Sequence, residues 1–311
     1  MTEQILRRPA PAGAAAYPSP QRDPQAFHEG LSWFNRRRLA AGAPSGDWES
    51  TLADEHMMRL AEGRWIEAER AAVVDRALAA PQDPDGFVEW FEALKSTGPG
   101  QGDPLFPWLA ETASREEMRW FLQQEVAGEA GFDDLVAMTQ VKMPPQPKME
   151  LANNYWDEMG RGNIKGMHGP MLDALAQTLD FRPTIEGTVW ESLALANTMV
   201  AFATSRRYAW HAVGALGVVE LTAPGRSKLV AQGLRRLGLS NRERLYFDLH
   251  AVLDVKHSED WNREVIRPLV AERPERARWL AEGALMRLTC GARCFGRYRR
   301  ELWGEVRMAA E

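Results

Sequence analysis

The residues most able to do chemistry lie in the segment 245–257, where His250, Asp254 and His257 stand at i, i+4 and i+7. On a helix that spacing puts all three on one stripe, so imidazole and carboxylate donors converge on a point. Such a set suits a divalent metal ion. The bland alternative is a surface stripe of unrelated polar groups. Two of only six histidines falling in one register weighs against it.

Two other segments carry groups of the same kind. Glu220 closes the apolar run that begins at Trp210, and an ionised carboxylate buried there needs a cation or hydrogen-bond donors. A salt bridge to Arg226 or simple exposure at a helix end would serve as well. His211, nine positions earlier, is poorly aligned with Glu220 and reads as a core or surface histidine. The third segment, Asn153 to His168, places Glu158 and His168 ten residues apart, about 80° on a regular helix. Gly160, Gly162 and Gly166 lie between them and allow the helix to unwind and bring the two together. A phosphate-binding glycine turn is the competing reading, weakened because no strand precedes it and no Gly-Lys-Ser/Thr closes it.

Helices must position these groups. From Gln25 to Thr97 apolar residues recur three or four apart, interrupted at Gly42–Gly46 and again at Gly98–Gly102. Ser114 with Glu117 forms a capping-box signature for a helix running towards Gln140, ended by Met143-Pro144-Pro145. Further helical stretches cover Glu150–Leu179 and Val189–Leu221, the latter stopping near Pro224-Gly225. A short basic helix, a helix opened by Ser240 and Glu243, and a last helix from about Pro274 follow. Without period-two alternation or hairpin dipeptides, the fold class is all-α. The organisation predicted is a disordered Pro- and Ala-rich tail over 1–24, an N-terminal helical region over 25–100, and a metal-binding helical domain over 101–311.

Composition removes several classes. At 45% hydrophobic and 26% charged the chain is an ordinary globular one, and a net charge of −5 without long single-sign runs gives no footprint for nucleic acid or an anionic membrane. No apolar stretch reaches the ~20 residues of a membrane span, and no signal-type apolar segment follows Arg7 and Arg8. A cytoplasmic location is expected, in keeping with two Cys and thirteen Met. Cys290 and Cys294 read as buried small hydrophobes. Arg293, Arg297, Arg299 and Arg300 read as a solvated face or dimer rim. The twelve Trp read most simply as core filling, with Trp156 and Trp210, next to candidate ligands in sequence, also placed to wall a pocket; Arg161, Lys165, Arg206 and Arg207 read as surface residues that could hold a substrate carboxylate.

Taken together, Glu158 and His168, then Glu220, then the His-x-x-x-Asp-x-x-His run resemble the heme-oxygenase-like diiron oxidases and oxygenases. These are helical enzymes related in fold to heme oxygenase and thiaminase-type proteins, and the resemblance covers roughly Arg119 to Arg267. It implies a heme-oxygenase-like bundle with additional N-terminal helices. It also implies two Fe(II) ions held by Glu158, His168, Glu220, His250, Asp254 and His257, which would act as catalytic residues with O2 as co-substrate. Some members use a further carboxylate from an upstream helix. Of Glu125 and Glu129, which share a face, Glu125 is favoured, and such a ligand is associated in the family with N-oxygenation of amino-acid-like substrates. The cupin domain fused to known N-oxygenating members has no β-rich counterpart here. The implied activity is oxidation of a small amino-acid-like or amine metabolite, by N-oxygenation or oxidative C–C cleavage, in specialised metabolism. An external electron donor and a homodimer stay open. The alternatives are a heme- or small-molecule-binding protein on the same scaffold, and a thiaminase-like hydrolase, disfavoured because neither Cys lies near the candidate ligands in sequence.

Overall fold

The computed structural model describes residues 19–44, 47–129 and 131–308, the side chains of 128, 129 and 305–308 excepted. The predicted tail therefore lies outside the described residues up to 18, as does the side chain of Glu129. Among the described residues there is no strand. The helices are α1 (Pro24–Leu39), α2 (Trp48–Leu78), α3 (Pro84–Thr97), α4 (Leu105–Glu111), α5 (Arg115–Glu129), α6 (Phe132–Thr139), α7 (Pro145–Glu158), α8 (His168–Thr178), α9 (Trp190–Thr204), α10 (Ala209–Arg236), α11 (Leu245–Asp260), α12 (Arg267–Glu272) and α13 (Arg276–Met308).

Local chemistry sets many of the helix starts. Asp23 and Asp83 cap α1 and α3, accepting from the Ala26 and Gly86 amides, and each is followed by a proline whose fixed φ suits the first turn. Ser114 and Glu117 form the expected reciprocal box, at 2.7 and 3.2 Å. The predicted helix from Ser114 to Gln140 is instead two, α5 and α6, separated by Gly131 in the left-handed region (φ 72°). The predicted stop at Pro224 is also corrected, because α10 runs through it to Arg236. The proline removes the bond its N–H would give to the Glu220 carbonyl, yet buried Leu216 and Val218 before it and Val230 and Leu234 after it hold both halves in the core.

Helix α9 is apolar all round and buried from Glu191 to Ala203, as a helix surrounded by other helices must be. It packs against α1, α5, α6 and α13, while α10 packs against α13, α11 and α4. The α10–α13 crossing depends on two glycines, since a Cβ at Gly214 would overlap the Leu280 carbonyl and one at Gly283 the His211 carbonyl. At the same crossing buried Glu282 accepts from Arg70, Arg278 and His211 at 2.5–2.9 Å, so His211 is a core histidine. Burial would raise the Glu282 carboxyl, but these partners outweigh it and hold it down at about 2. The N-terminal helices share this core, because Phe27, Leu31, Trp65, Ile66, Phe87 and Phe91 belong to the same buried cluster as α9, α10 and α13.

Candidate metal centre

Helices α7, α8, α10 and α11 bring the predicted ligands to one place. Helix α7 ends at Glu158, and the chain then reverses through two short 3₁₀ turns to His168, the first residue of α8. The reversal needs φ of 59°, 51° and 83° at Gly160, Arg161 and Gly162. Gly160 and Gly166 meet backbone to backbone, leaving no room for a Cβ at Gly160. The result is His168 Nδ1 at 2.6 Å from Glu158 Oε2, the approach that the intervening glycines predict.

Two groups of donors result, each with ligand atoms within 4.8 Å of one another: Glu158, His168 and His250, and Glu158, Glu220 and His257. Glu158 belongs to both. His168 and His250 meet edge to face, with ring centroids 4.5 Å apart. His257 Nδ1 stands 3.4 Å from Glu220 Oε2 and 3.8 Å from Asp254 Oδ1. Asp254 is buried at the same wall but outside both groups. Glu125 is also outside them: it lines the adjoining cavity and accepts a hydrogen bond from Tyr298 Oη at 2.9 Å.

Residues around the donors orient them. The His250 Nδ1 lies 2.7 Å from the Tyr246 carbonyl, which places its proton there and leaves Nε2 as the donor atom. His257 Nε2 meets Asp157 Oδ2 at 3.1 Å, the carboxylate–imidazole arrangement that fixes ring orientation in metal sites. Asn154 Nδ2 donates to Glu220 Oε1 at 2.8 Å and lies 3.3 Å from His257 Nδ1. Helix α11 continues into a π-helical turn, Trp261–Ile266, whose buried Trp261 indole packs on Gly217 of α10. This contact ties the His-x-x-x-Asp-x-x-His helix to the one that carries Glu220.

The electrostatics fit a bound cation. Burial raises the Glu158 carboxyl well above its usual range, and the negative charge of Glu220 adds to the rise. Burial likewise lowers His168 and His250 to about 4, so both are neutral with lone pairs available. At His257 burial works the same way, but Glu220 and then Asp157 outweigh it and raise the imidazole to about 9. Crowded, mutually repelling carboxylates beside the neutral imidazoles of His168 and His250 are relieved by divalent positive charge, which would take the place of the His257 proton, and a donor set of N and O without Cys suits iron.

Beside the donors lies a cavity of about 80 Å³, lined by Glu158, Glu220, His250 and Asp254 and, towards a second space that they also line, by Glu125, Arg226 and Arg287. A smaller space of about 40 Å³ adjoins it, adding Tyr298 and Cys294. Trp156 is instead half-exposed on the outer face, and Trp210 packs under Arg276. Arg161 pairs with Asp157, Arg206 with the Met138 and Thr139 carbonyls, and Arg207 with Glu67, while Lys165 is exposed, so none of the four predicted cations lines the cavity. Sequence reasoning missed Asn154 and Asp157 as orienting groups. Asn154, four residues before Glu158 on the same helix face, carried a usable signal, whereas Arg287 and Tyr298 on α13 carried none.

No curated protein gives a significant match to the chain. A family model described as iron-containing redox enzyme matches residues 119–292, more than half of the chain and every one of the donors above. With this match, the all-α fold and the buried carboxylate–histidine cluster, the chain belongs to that family of iron-containing redox enzymes.

Proposed function

We propose that the protein is a non-heme diiron oxygenase or oxidase that uses O2 to oxidise a small amino-acid-like or amine metabolite in the cytoplasm, by N-oxygenation or by oxidative C–C cleavage. The observation that carries the reading is the pair of donor groups meeting at Glu158. Glu158, His168 and His250 would hold one iron, and Glu158, Glu220 and His257 the other, with Asp254 close enough to complete the second set. Ferrous iron in such a site supplies electrons and open coordination positions for dioxygen. The protein's part is to keep His168 and His250 neutral, to orient His257 through Asp157, and to exclude water from a small cavity walled by Phe106, Phe121 and Phe132. A porphyrin does not fit the space of about 80 Å³ beside the histidines, which argues against heme binding there.

The test is anaerobic reconstitution with Fe(II), followed by oxygen-electrode assays against amino acids and amines. About two irons per chain and substrate-dependent O2 consumption are expected, both lost in His250→Ala and Asp254→Ala variants of unchanged helicity. Full turnover by either variant, or no iron uptake by the wild type, refutes the proposal.

A further inference from the structure

The cavity beside the donors has a second pole, built by α5, α10 and α13. Its one carboxylate, Glu125, is fixed by Tyr298, whose hydroxyl donates to it at 2.9 Å and meets Ser192 Oγ at 2.8 Å. Two guanidinium groups face the same space. Arg226 donates to Thr222 Oγ1 at 3.0 Å and lies over the Phe106 and Phe295 rings. Arg287 differs, because its Nε is buried and has no hydrogen-bond partner among the described residues. A charged donor left unmet in a buried place is costlier than a neutral one, and a planar guanidinium is best satisfied by two coplanar oxygens.

Charge points the same way. Two guanidinium groups against a single carboxylate leave this pole positive, within walls of Phe132 and Val219 that supply no counter-charge. The opposite pole holds the iron donors. A ligand that satisfies both has an anionic group at one end and its oxidisable group at the other, and the small cavity limits it to amino-acid size. We propose that Arg287, with Arg226 beside it, binds the carboxylate of the substrate and thereby selects carboxylic acids over amines that lack one. The choice of which end is oxidised rests on the diiron reading. The anion site itself does not.

The experiment measures binding of the proteinogenic L-amino acids and their matched carboxamides to the full-length protein by calorimetry, iron-free and iron-loaded. At least one acid should bind the iron-free protein, with its amide about tenfold or more weaker, since one lost charge-assisted pair corresponds to that ratio. Arg287→Gln should lose about tenfold or more in acid affinity, and Arg287→Lys should recover part of it. Iron stoichiometry should be the same in both variants and the wild type. Acid binding with no iron uptake would sink the diiron reading and leave the anion site standing. No acid binding, equal binding of acids and amides, or undiminished acid binding by Arg287→Gln would overturn the anion site.

Discussion

Asp157 belongs to neither donor group, yet it holds His257 from behind, so its effect on iron is indirect and measurable. Asp157→Asn keeps the shape and removes the charge that orients and polarises the ring. Fe(II) affinity should fall by about 10–100-fold in competition with a chromophoric chelator, with the far-ultraviolet circular dichroism unchanged. Undiminished affinity would mean that the 3.1 Å contact is incidental. At this scale the sequence was most legible where one helix carries several groups, because His250, Asp254 and His257 differ only by multiples of a fixed rotation. It was least legible for Arg287 and Tyr298, which reach the cavity through tertiary packing of a helix whose own pattern shows only an apolar stripe. The cluster of Arg293, Arg297, Arg299 and Arg300 shows the same limit. Expected as a solvated face or dimer rim, these residues instead tie α13 to its neighbours: Arg293 pairs with Glu69, Arg299 with Asp103, and Arg297 and Arg300 with Glu191, while Arg297 also pairs with Glu301 on α13 itself.

At the scale of elements, the α10–α13 crossing decides where Glu220 and Arg287 stand relative to each other. Gly283→Ala would force a methyl into the His211 carbonyl, and overpacking of this kind costs about 1–3 kcal/mol. A lower urea midpoint and reduced iron retention should appear together, because α10 carries Glu220; an unchanged midpoint would show that the crossing yields without strain. Gly214 and Gly283 could not be singled out beforehand, since nothing local distinguishes a glycine at a helix crossing from one tolerated in passing. Pro224 misled for the converse reason: proline ends helices in isolation, whereas burial on both sides carries α10 through it. The glycine turn between α7 and α8 was legible, because only an unwound segment brings Glu158 to His168.

For the whole molecule, the N-terminal helices are fastened by buried polar contacts as well as by the shared core. His28 of α1 lies between the Trp65 and Trp190 rings, at 4.7 and 5.8 Å, and its carbonyl accepts from Asn197 of α9 at 3.0 Å. Burial, with a smaller effect of Arg293, lowers its imidazole to about 3. The folded protein therefore keeps His28 neutral while the unfolded chain takes up a proton below pH about 6.5. The stability His28 contributes is complete above that pH and declines as pH falls towards 3. Between pH 7 and 5.5 the loss from this residue should be about 1 kcal/mol. Urea unfolding at the two pH values should show a correspondingly flatter dependence in His28→Phe than in the wild type, and equal slopes would contradict the burial argument. Nothing in the sequence pointed to this role, because His28 has no partner pattern within its own helix.

Glu158 lies in both donor groups, and a side chain cannot serve two ions as if each were alone. On the proposed two-iron reading, whichever position fills first settles the rotamer and the free oxygen that the other will meet, so the two binding steps would be linked equilibria, each altering the other by the same factor. Iron occupancy is then a property of the pair. A half-loaded protein is a distinct species with its own affinity, and a titration curve for identical, independent sites should fail to describe it.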